Sequence, residues 1–452
     1  MARGKKKEST LTLEEKLAQA LVLDWEQPHK VPGNWKWIIL GNLVEIRRGA
    51  SPRPIKAYVT EDETGVNWIK IGDTDSGKYI THIAEKITSE GAKKSVFVEE
   101  GTLLLSNSMS FGRPYILKVN GCIHDGWLAI TPSTAFNKEY LYYALLASEW
   151  YFEQVAVGTA VRNLNSERVA GTPVPCPPLA EQQRIVDRIE YLFAKLDEAK
   201  ENAQSVLDSF ETSKAAILHK AFTGELTAKW RAEHSVELES WEHLAYSDIG
   251  SSKLGKMLDK AKNEGLPTPY LRNINVRWFA FDLNDVSTML ASEAEIEALS
   301  VKKGDLFICE GGEPGRCAIW KESDSNLIFQ KALHRFRPNK KVISEFLCYN
   351  LYFMSLSGTL EEFFTGTTIK HLTGQSLSKL PIHLPHVPEH TEIVRILDSL
   401  FAKEQQAKEA AEAVLEKIDL LKKSILARAF RGELGTNDPS EESALELLMT
   451  AL

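Results

Sequence analysis

The residues of this 452-residue chain that could do chemistry fall in three places. Gly72-Asp-Thr-Asp-Ser-Gly77-Lys78-Tyr79 comes close to a phosphate loop, in which glycine amides and a lysine cradle a nucleotide. It has Tyr79 where a Ser or Thr must hold Mg²⁺, and Asp73 and Asp75 where phosphates would lie, so it reads as a β-turn. Gly311-Gly-Glu-Pro-Gly315 lacks the spacing of a dinucleotide fingerprint and follows no βαβ pattern. His383, His386 and His390 carry ligand chemistry, but in a proline-punctuated loop with no cysteine nearby. No Asn-Pro-Pro-aromatic tetrapeptide of the amino-methyltransferase kind occurs. We therefore expect no catalytic residue, no metal site and no cofactor bound by this chain.

The elements that would position any site are more informative. Apolar content of 43% and charged content of 26% describe an ordinary globular composition. The five cysteines are odd in number and contain no Cys-x-x-Cys pair, which reads as reduced thiols in a cytoplasmic protein. No run of eighteen apolar residues suggests a membrane span, and Lys5-Lys6-Lys7 reads as a solvated tail. An amphipathic helix is predicted over residues 11–24, capped by Thr10 or Thr12 and closed by Pro28 and Pro32. Strand-like runs follow at Val66–Ile71, Gly101–Leu105, Tyr115–Val119 and Trp127–Thr131, with a helix over Lys138–Phe152.

From Ala180 to Leu226 the pattern changes. Ile185, Ile189, Leu192, Leu196, Ala199, Ala203, Val206, Phe210 and Ile217, with polar Ser213 between, alternate steps of four and three. Such a narrow seam predicts a left-handed coiled coil rather than a globular core helix. A shift of 208 then returns it as Ile393, Leu397, Leu400, Glu404, Ala407, Ala411, Val414, Ile418, Leu421 and Ile425. The same shift carries Gly158-Thr159 to Gly366-Thr367, Phe193-Ala-Lys to Phe401-Ala-Lys, and Gly224-Glu-Leu to Gly432-Glu-Leu. A shift of 203 brings Gly101, Leu103, Gly112 and Arg113 onto Gly304, Leu306, Gly315 and Arg316. The chain is one globular domain plus one long helix, written twice.

The expected architecture is α+β, with residues 1–30 an N-terminal helical extension and 31–178 the first mixed domain. Residues 179–234 are the first helix, 235–388 the second domain, 389–434 the second helix, and 435–452 a tail with a short helix. A compact domain cannot carry the chain the length of a 40-residue helix, about 60 Å. The helices should then pair antiparallel, with the domains at opposite ends about a pseudo-two-fold axis.

Pro177-Pro-Leu-Ala-Glu-Gln-Gln-Arg-Ile-Val186, closing on Ala221-Phe222-x-Gly-Glu-Leu, resembles the DNA-specificity subunit of Type I restriction-modification systems. The resemblance covers about Trp35 to Leu434. It implies a non-catalytic bacterial subunit whose two target recognition domains each read half of a bipartite double-stranded DNA site. It further implies that the helices set the unread spacer and dock two methyltransferase subunits, joined by two translocase-endonuclease subunits. S-adenosylmethionine, ATP and Mg²⁺ would be bound by those partners. Glu181, Gln182, Gln183, Phe222 and Phe430 are the expected partner contacts. The second copy departs from the motif, with His386-Val-Pro-Glu-His-Thr391. A coiled-coil scaffold joining two protein-binding heads, without sequence-specific DNA reading, is the alternative, and a stand-alone enzyme acting on DNA is a second.

A net charge of −8 means that DNA contact must rest on local groups. Residues 31–178 hold 15 basic and 15 acidic residues, and residues 235–388 hold 17 and 19. Arg113 and Arg316 follow strands at equivalent places, where an arginine fork could pair with guanine. Asn107 and Asn275 could pair with adenine. Lys70 and Arg272 occupy related places after Trp68-Ile and Tyr270-Leu. Arg162 and Lys370, matched in the two Gly-Thr loops, suit phosphate contact. Each of these has an alternative as a solvated residue or turn former.

Overall fold

The computed structural model describes residues 11–75, 77–107, 112–156, 164–259 and 261–452. The chain divides into two compact units, Met1–Asn202 with Val414–Leu452, and Ala203–Ala413.

In the first unit a five-stranded sheet runs in the order Val44–Arg48, Trp127–Pro132, Leu103–Ser106, Pro114–Leu117, Tyr79–Ile80. A second runs Val59–Thr60, Lys86–Ile87, Val66–Ile69, Gly121–Ile123, Val96–Val98. Leu103–Ser106 is buried along its whole length, which is why its sequence, Leu-Leu-Leu-Ser, lacks the polar alternation of a one-sided strand. Lys36–Ile39 pairs antiparallel with Pro173–Cys176 and ties the start of the domain to its end. The core joins Leu103, Leu105, Ile116, Leu128 and Ile130 to Tyr140, Leu141 and Leu145 of the helix Lys138–Ala147, and to Ile185 and Ile189 beyond. Asn137 starts that helix by accepting from the Glu139 and Tyr140 amides. The single helix expected over Lys138–Phe152 is two, because Ser148 leaves helical geometry and its hydroxyl donates to Ala144 O at 2.8 Å.

The second unit repeats the plan. Gly250–Leu254, Leu333–Pro338, Leu306–Cys309 and Cys317–Ile319 form its central sheet in that order. The parallel pair Val66–Ile69 with Gly121–Ile123 returns as Leu266–Leu271 with Ile328–Phe329. Where the first unit has its edge strand Tyr79–Ile80, the second has a small hairpin, Val276–Arg277 with Ala280–Phe281. Its turn residue Phe279 sits at φ 63°, held by ring contacts to Tyr349 at 4.9 Å and Tyr352 at 5.1 Å.

The long helices span Leu179–Phe222 and Val387–Ala429. The first stops short of residue 234 because Gly224 turns the chain at φ +84°, and Ala228–His234 is a separate helix. In the first unit the start of one helix meets the end of the other: Lys422 Nζ lies 2.5 Å from Asp197 Oδ1 and over the Phe193 ring. In the second, Leu218, Ala221 and Phe222 pack with Ile393, Val394 and Leu397. Within each unit the helices therefore run antiparallel.

The seam itself corrects the sequence expectation. Ile185, Ile189, Leu192, Leu196, Ala199, Ala203, Phe210 and Ile217 face inward as expected, and the stripe also takes in Leu207, Lys214, Leu218 and Ala221. Val206 is 42% exposed and Ser213 lies outside. The second helix shows the same drift, with Val414 41% and Leu421 47% exposed while Leu415, Lys422 and Leu426 turn inward. Ten steps over the 36 residues from Ile185 to Ala221 average 3.6 residues, so the inward stripe drifts by one position from the strict four-three seam.

Candidate nucleic-acid interface

The residues with apparent chemistry are engaged within the fold. Lys78, the lysine of the near-phosphate loop, pairs with Glu139 and with Glu190 at 2.7 Å, and its ammonium lies 4.7 Å from the Tyr143 ring centre. Burial alone would lower its pKa, but the two carboxylates outweigh burial and hold it above the ordinary lysine value. Ile71–Asp73 is a 3-10 helix, and Lys78 is stapled to the helix Lys138–Ala147 and to the one that carries Glu190. His390 is buried with Nδ1 3.1 Å from Pro385 O, while His383 sits edge-on to His243 at 3.8 Å between centroids. Among the described residues no group of three or more His, Cys, Asp or Glu is arranged to hold a metal.

The residues expected at DNA separate into three kinds. Two must be corrected on burial. Asn107 is 1% exposed, and its amide donates to Asp125 O at 3.0 Å. Asn275 is 2% exposed, accepts from the Arg272 amide at 2.9 Å, and donates to Asp282 O and Asp285 O. Neither carboxamide can reach a base without breaking its own turn. Two arginines are engaged within the protein. Arg316 is 13% exposed at its side chain, with Nη1 on Glu313 at 2.7 Å and Nη2 on Asn273 O at 3.0 Å. Arg272 holds both Asp285 O and Asp285 Oδ2, at 2.6 and 2.8 Å. The remaining four differ in placement. Arg113 is half-buried, its guanidinium 5.4 Å from the Tyr115 ring centre. Lys70 pairs with Glu85 at 2.5 Å on the wall of a cleft. Lys370 is exposed. Arg162 lies outside the described residues.

The expected partner contacts are corrected more sharply. Glu181 is fully buried and accepts from Thr436 at 2.6 Å and from Arg184 at 2.8 Å, while Arg184 forks onto Glu441. Burial pushes its carboxyl pKa up against those two donors. Gln182 is fully buried, accepting from the Asn137 amide and donating to Ala135 O and Pro177 O. Phe222 stacks on Phe353 at 5.1 Å, and Phe430 packs on Tyr140 at 5.4 Å, each in a core. In the second copy Glu389 repeats the Glu181 role, accepting from Thr227, Arg231 and Trp241. The motif is thus a buried anchor that fastens the turn following a long helix. Of the five, Gln183 alone stays exposed, bonded to Asn137 and Asp187.

Sequence reading missed a cleft of about 1230 Å³ in the first unit, lined by Arg53, Lys56, Trp68, Lys70, His124 and Asp125 among others. Its organising group is Asp125, which accepts from Ser51 at 2.5 Å and Arg53 at 3.3 Å, with His124 Nε2 at 2.9 Å. Burial would raise this carboxyl, but Ser51, His124 and Arg53 together hold its pKa below the ordinary value. Arg53 projects beyond the cluster, 80% exposed. The run Arg47-Arg-Gly-Ala-Ser-Pro-Arg-Pro54, basic and turn-rich, was the signal for it.

Two stretches of the chain, residues 32–206 and 239–417, match a family described as Type I restriction modification DNA specificity domain. Among curated relatives, the Type I restriction enzyme EcoKI specificity subunit of Escherichia coli (strain K12) is 26% identical over 437 residues, covering 90% of each chain. The EcoBI specificity subunit of Escherichia coli is 27% identical over 317 residues, covering 66% of each. The fold is shared with the crystal structure of the HsdS subunit from Thermoanaerobacter tengcongensis, at a TM-score of 0.65 and 19% identity, covering 90% of this chain and all of that one. A structure titled for complex assembly and conformational transition of the type I R-M system aligns at a TM-score of 0.62 and 18% identity over the same shares.

Proposed function

The chain belongs to the Type I restriction-modification DNA specificity family, and from that membership we propose that it is the non-catalytic sequence-reading subunit of such a complex. Each mixed domain reads one half of a bipartite double-stranded site. The helical pair sets the unread spacer and docks two methyltransferase subunits, and two translocase-endonuclease subunits complete the assembly. Adenine methylation and cleavage, with S-adenosylmethionine, ATP and Mg²⁺, belong to those partners in the cytoplasm.

The observation that carries this reading is the duplication. Two domains built on one strand order, each matching the specificity family separately, supply two readers in one chain. The near balance of charge in each domain supports shared binding, in which a partner neutralises most of the phosphates. The test is footprinting of the chain together with its methyltransferase on random-sequence DNA. Protection of two short half-sites separated by a constant unread spacer is expected, and sequence-indifferent protection would overturn it. The purified chain alone, given S-adenosylmethionine, should transfer no methyl groups.

A further inference from the structure

The two units share a backbone frame closely enough to be matched residue by residue. In the first, Gly49 N donates to Trp127 O, Ala50 N to Ile123 O, His124 N to Ile69 O, Asn107 N to Gly126 O and Leu164 N to Asn107 O. In the second, Gly255 N donates to Leu333 O, Lys256 N to Phe329 O, Gln330 N to Leu271 O, Glu310 N to Ala332 O and Leu372 N to Glu310 O. All five bonds return. Gly49 and Gly255 are both closely pressed, since a Cβ would stand 2.1 Å from His124 O on the first and 2.1 Å from Phe329 O on the second. His124 therefore corresponds to Gln330, and Asp125 to Lys331.

Inside this frame the buried positions stay apolar in both copies: Ile69 and Leu271, Ile123 and Phe329, Trp127 and Leu333, Leu164 and Leu372. The two outward positions do the opposite. Imidazole is exchanged for carboxamide, and a carboxylate for an ammonium. The His124 and Asp125 side chains are 39% and 32% exposed, Gln330 is half-buried and Lys331 is exposed. Gln330 and Lys331 form no side-chain hydrogen bond with a described residue. In the first domain His124 Nδ1 accepts from the Gly126 amide at 2.8 Å and Asp125 accepts from Ser51, yet the second domain keeps the same backbone bonds with a reversed charge and without these side-chain bonds. Arg113 and Arg316, by contrast, are alike in both copies and cannot distinguish two sequences.

Resting on the functional reading above, we propose that these outward positions, with Arg53 held beside them by Asp125, are the base-reading sites: His124, Asp125 and Arg53 in the first domain, Gln330 and Lys331 in the second. Arg53, oriented by Asp125, presents a fork suited to guanine O6 and N7. The Gln330 carboxamide suits adenine N6 and N7, with Lys331 beside it suited to guanine. Because the charge at the second position is reversed, the two half-sites differ in sequence.

The test is base-resolution methylation mapping of genomic DNA treated with the complex of this chain and its methyltransferase. Gln330→Ala should lose about ten-fold or more of its discrimination at one base position in one half-site, leaving the other half unchanged. His124→Ala should relax the other half alone. If Gln330→Ala fails to assemble, Gln330→Glu keeps the shape and removes the donor, and should change the same position. An unaltered motif with full methylation, relaxation of both halves by one variant, or a uniform decline at all sequences in a folded complex would overturn the assignment. A wild-type complex that methylates no bipartite motif would instead fail the functional reading, whatever the variants do.

Discussion

At the scale of single residues, residue type was a poor guide to role and environment decided it. Asn107, Asn275 and Arg316 all have side chains that could read a base, yet each is occupied in holding a turn. A polar group placed where it can be satisfied internally is held there by the cost of leaving its partners unmet in a buried site. Arg316→Ala should therefore lower unfolding stability by about 1–3 kcal/mol in a denaturant titration while leaving the methylation motif intact. A relaxed motif at wild-type stability would restore Arg316 to the reading surface. Lys370 is exposed, in a loop matched between the copies. Its removal should weaken DNA binding at every sequence and reduce the slope of log K against log salt by about 0.9. A sequence-dependent loss would count against phosphate contact.

At the scale of elements, the helices were legible in period and position, and their contacts less so. The four-three alternation named Val206 and Ser213, but the packed stripe takes Leu207 and Lys214, because straight helices drift about 20° per heptad from a 3.5 seam. Two buried charges now carry testable consequences. Glu389→Ala would leave the Arg231 guanidinium, 9% exposed, without its carboxylate, which should cost about 3–5 kcal/mol by chemical denaturation. Glu404 lies in the second helix's stripe with both carboxylate oxygens buried and without a hydrogen-bond partner among the described residues. Burial holds its pKa above the ordinary 4.5, against the opposing pull of Lys214. The folded-state pKa is raised, so the charged form is the disfavoured one. The destabilisation relative to Glu404→Gln should be full above the raised value, shrink as pH falls through it, and vanish below 4.5. Thermal melts of the two proteins across that range check the sign. A gap that widens toward acid pH would refute it.

At the scale of the whole molecule, the duplication governs function. Seven residues inserted into both long helices add about 10.5 Å of helix, about three base pairs at 3.4 Å each. Methylation mapping should find a longer unread spacer between unchanged half-sites, and an unchanged spacer would remove the helices from that role. The 20° offset introduced by a heptad into a 3.6-period stripe should also lower activity more than an insertion of eighteen residues, which completes five whole turns.

What the sequence determined by itself was whatever depends on pattern. The repeat and the two long helices follow from periodicity and self-similarity, since burial imposes the same spacing wherever a helix is half covered, their antiparallel sense from helix length against domain size, and the family resemblance from the Pro177–Val186 motif. Only the tertiary structure decided which polar residues are free to act. The anchors Glu181, Gln182 and Glu389 and the outward pair Gln330 and Lys331 are all polar side chains that the sequence does not tell apart by burial. What separates them is whether the fold brings a hydrogen-bond partner to each, and such partners come from segments distant along the chain, such as Thr436 for Glu181. A linear pattern carries no record of that proximity.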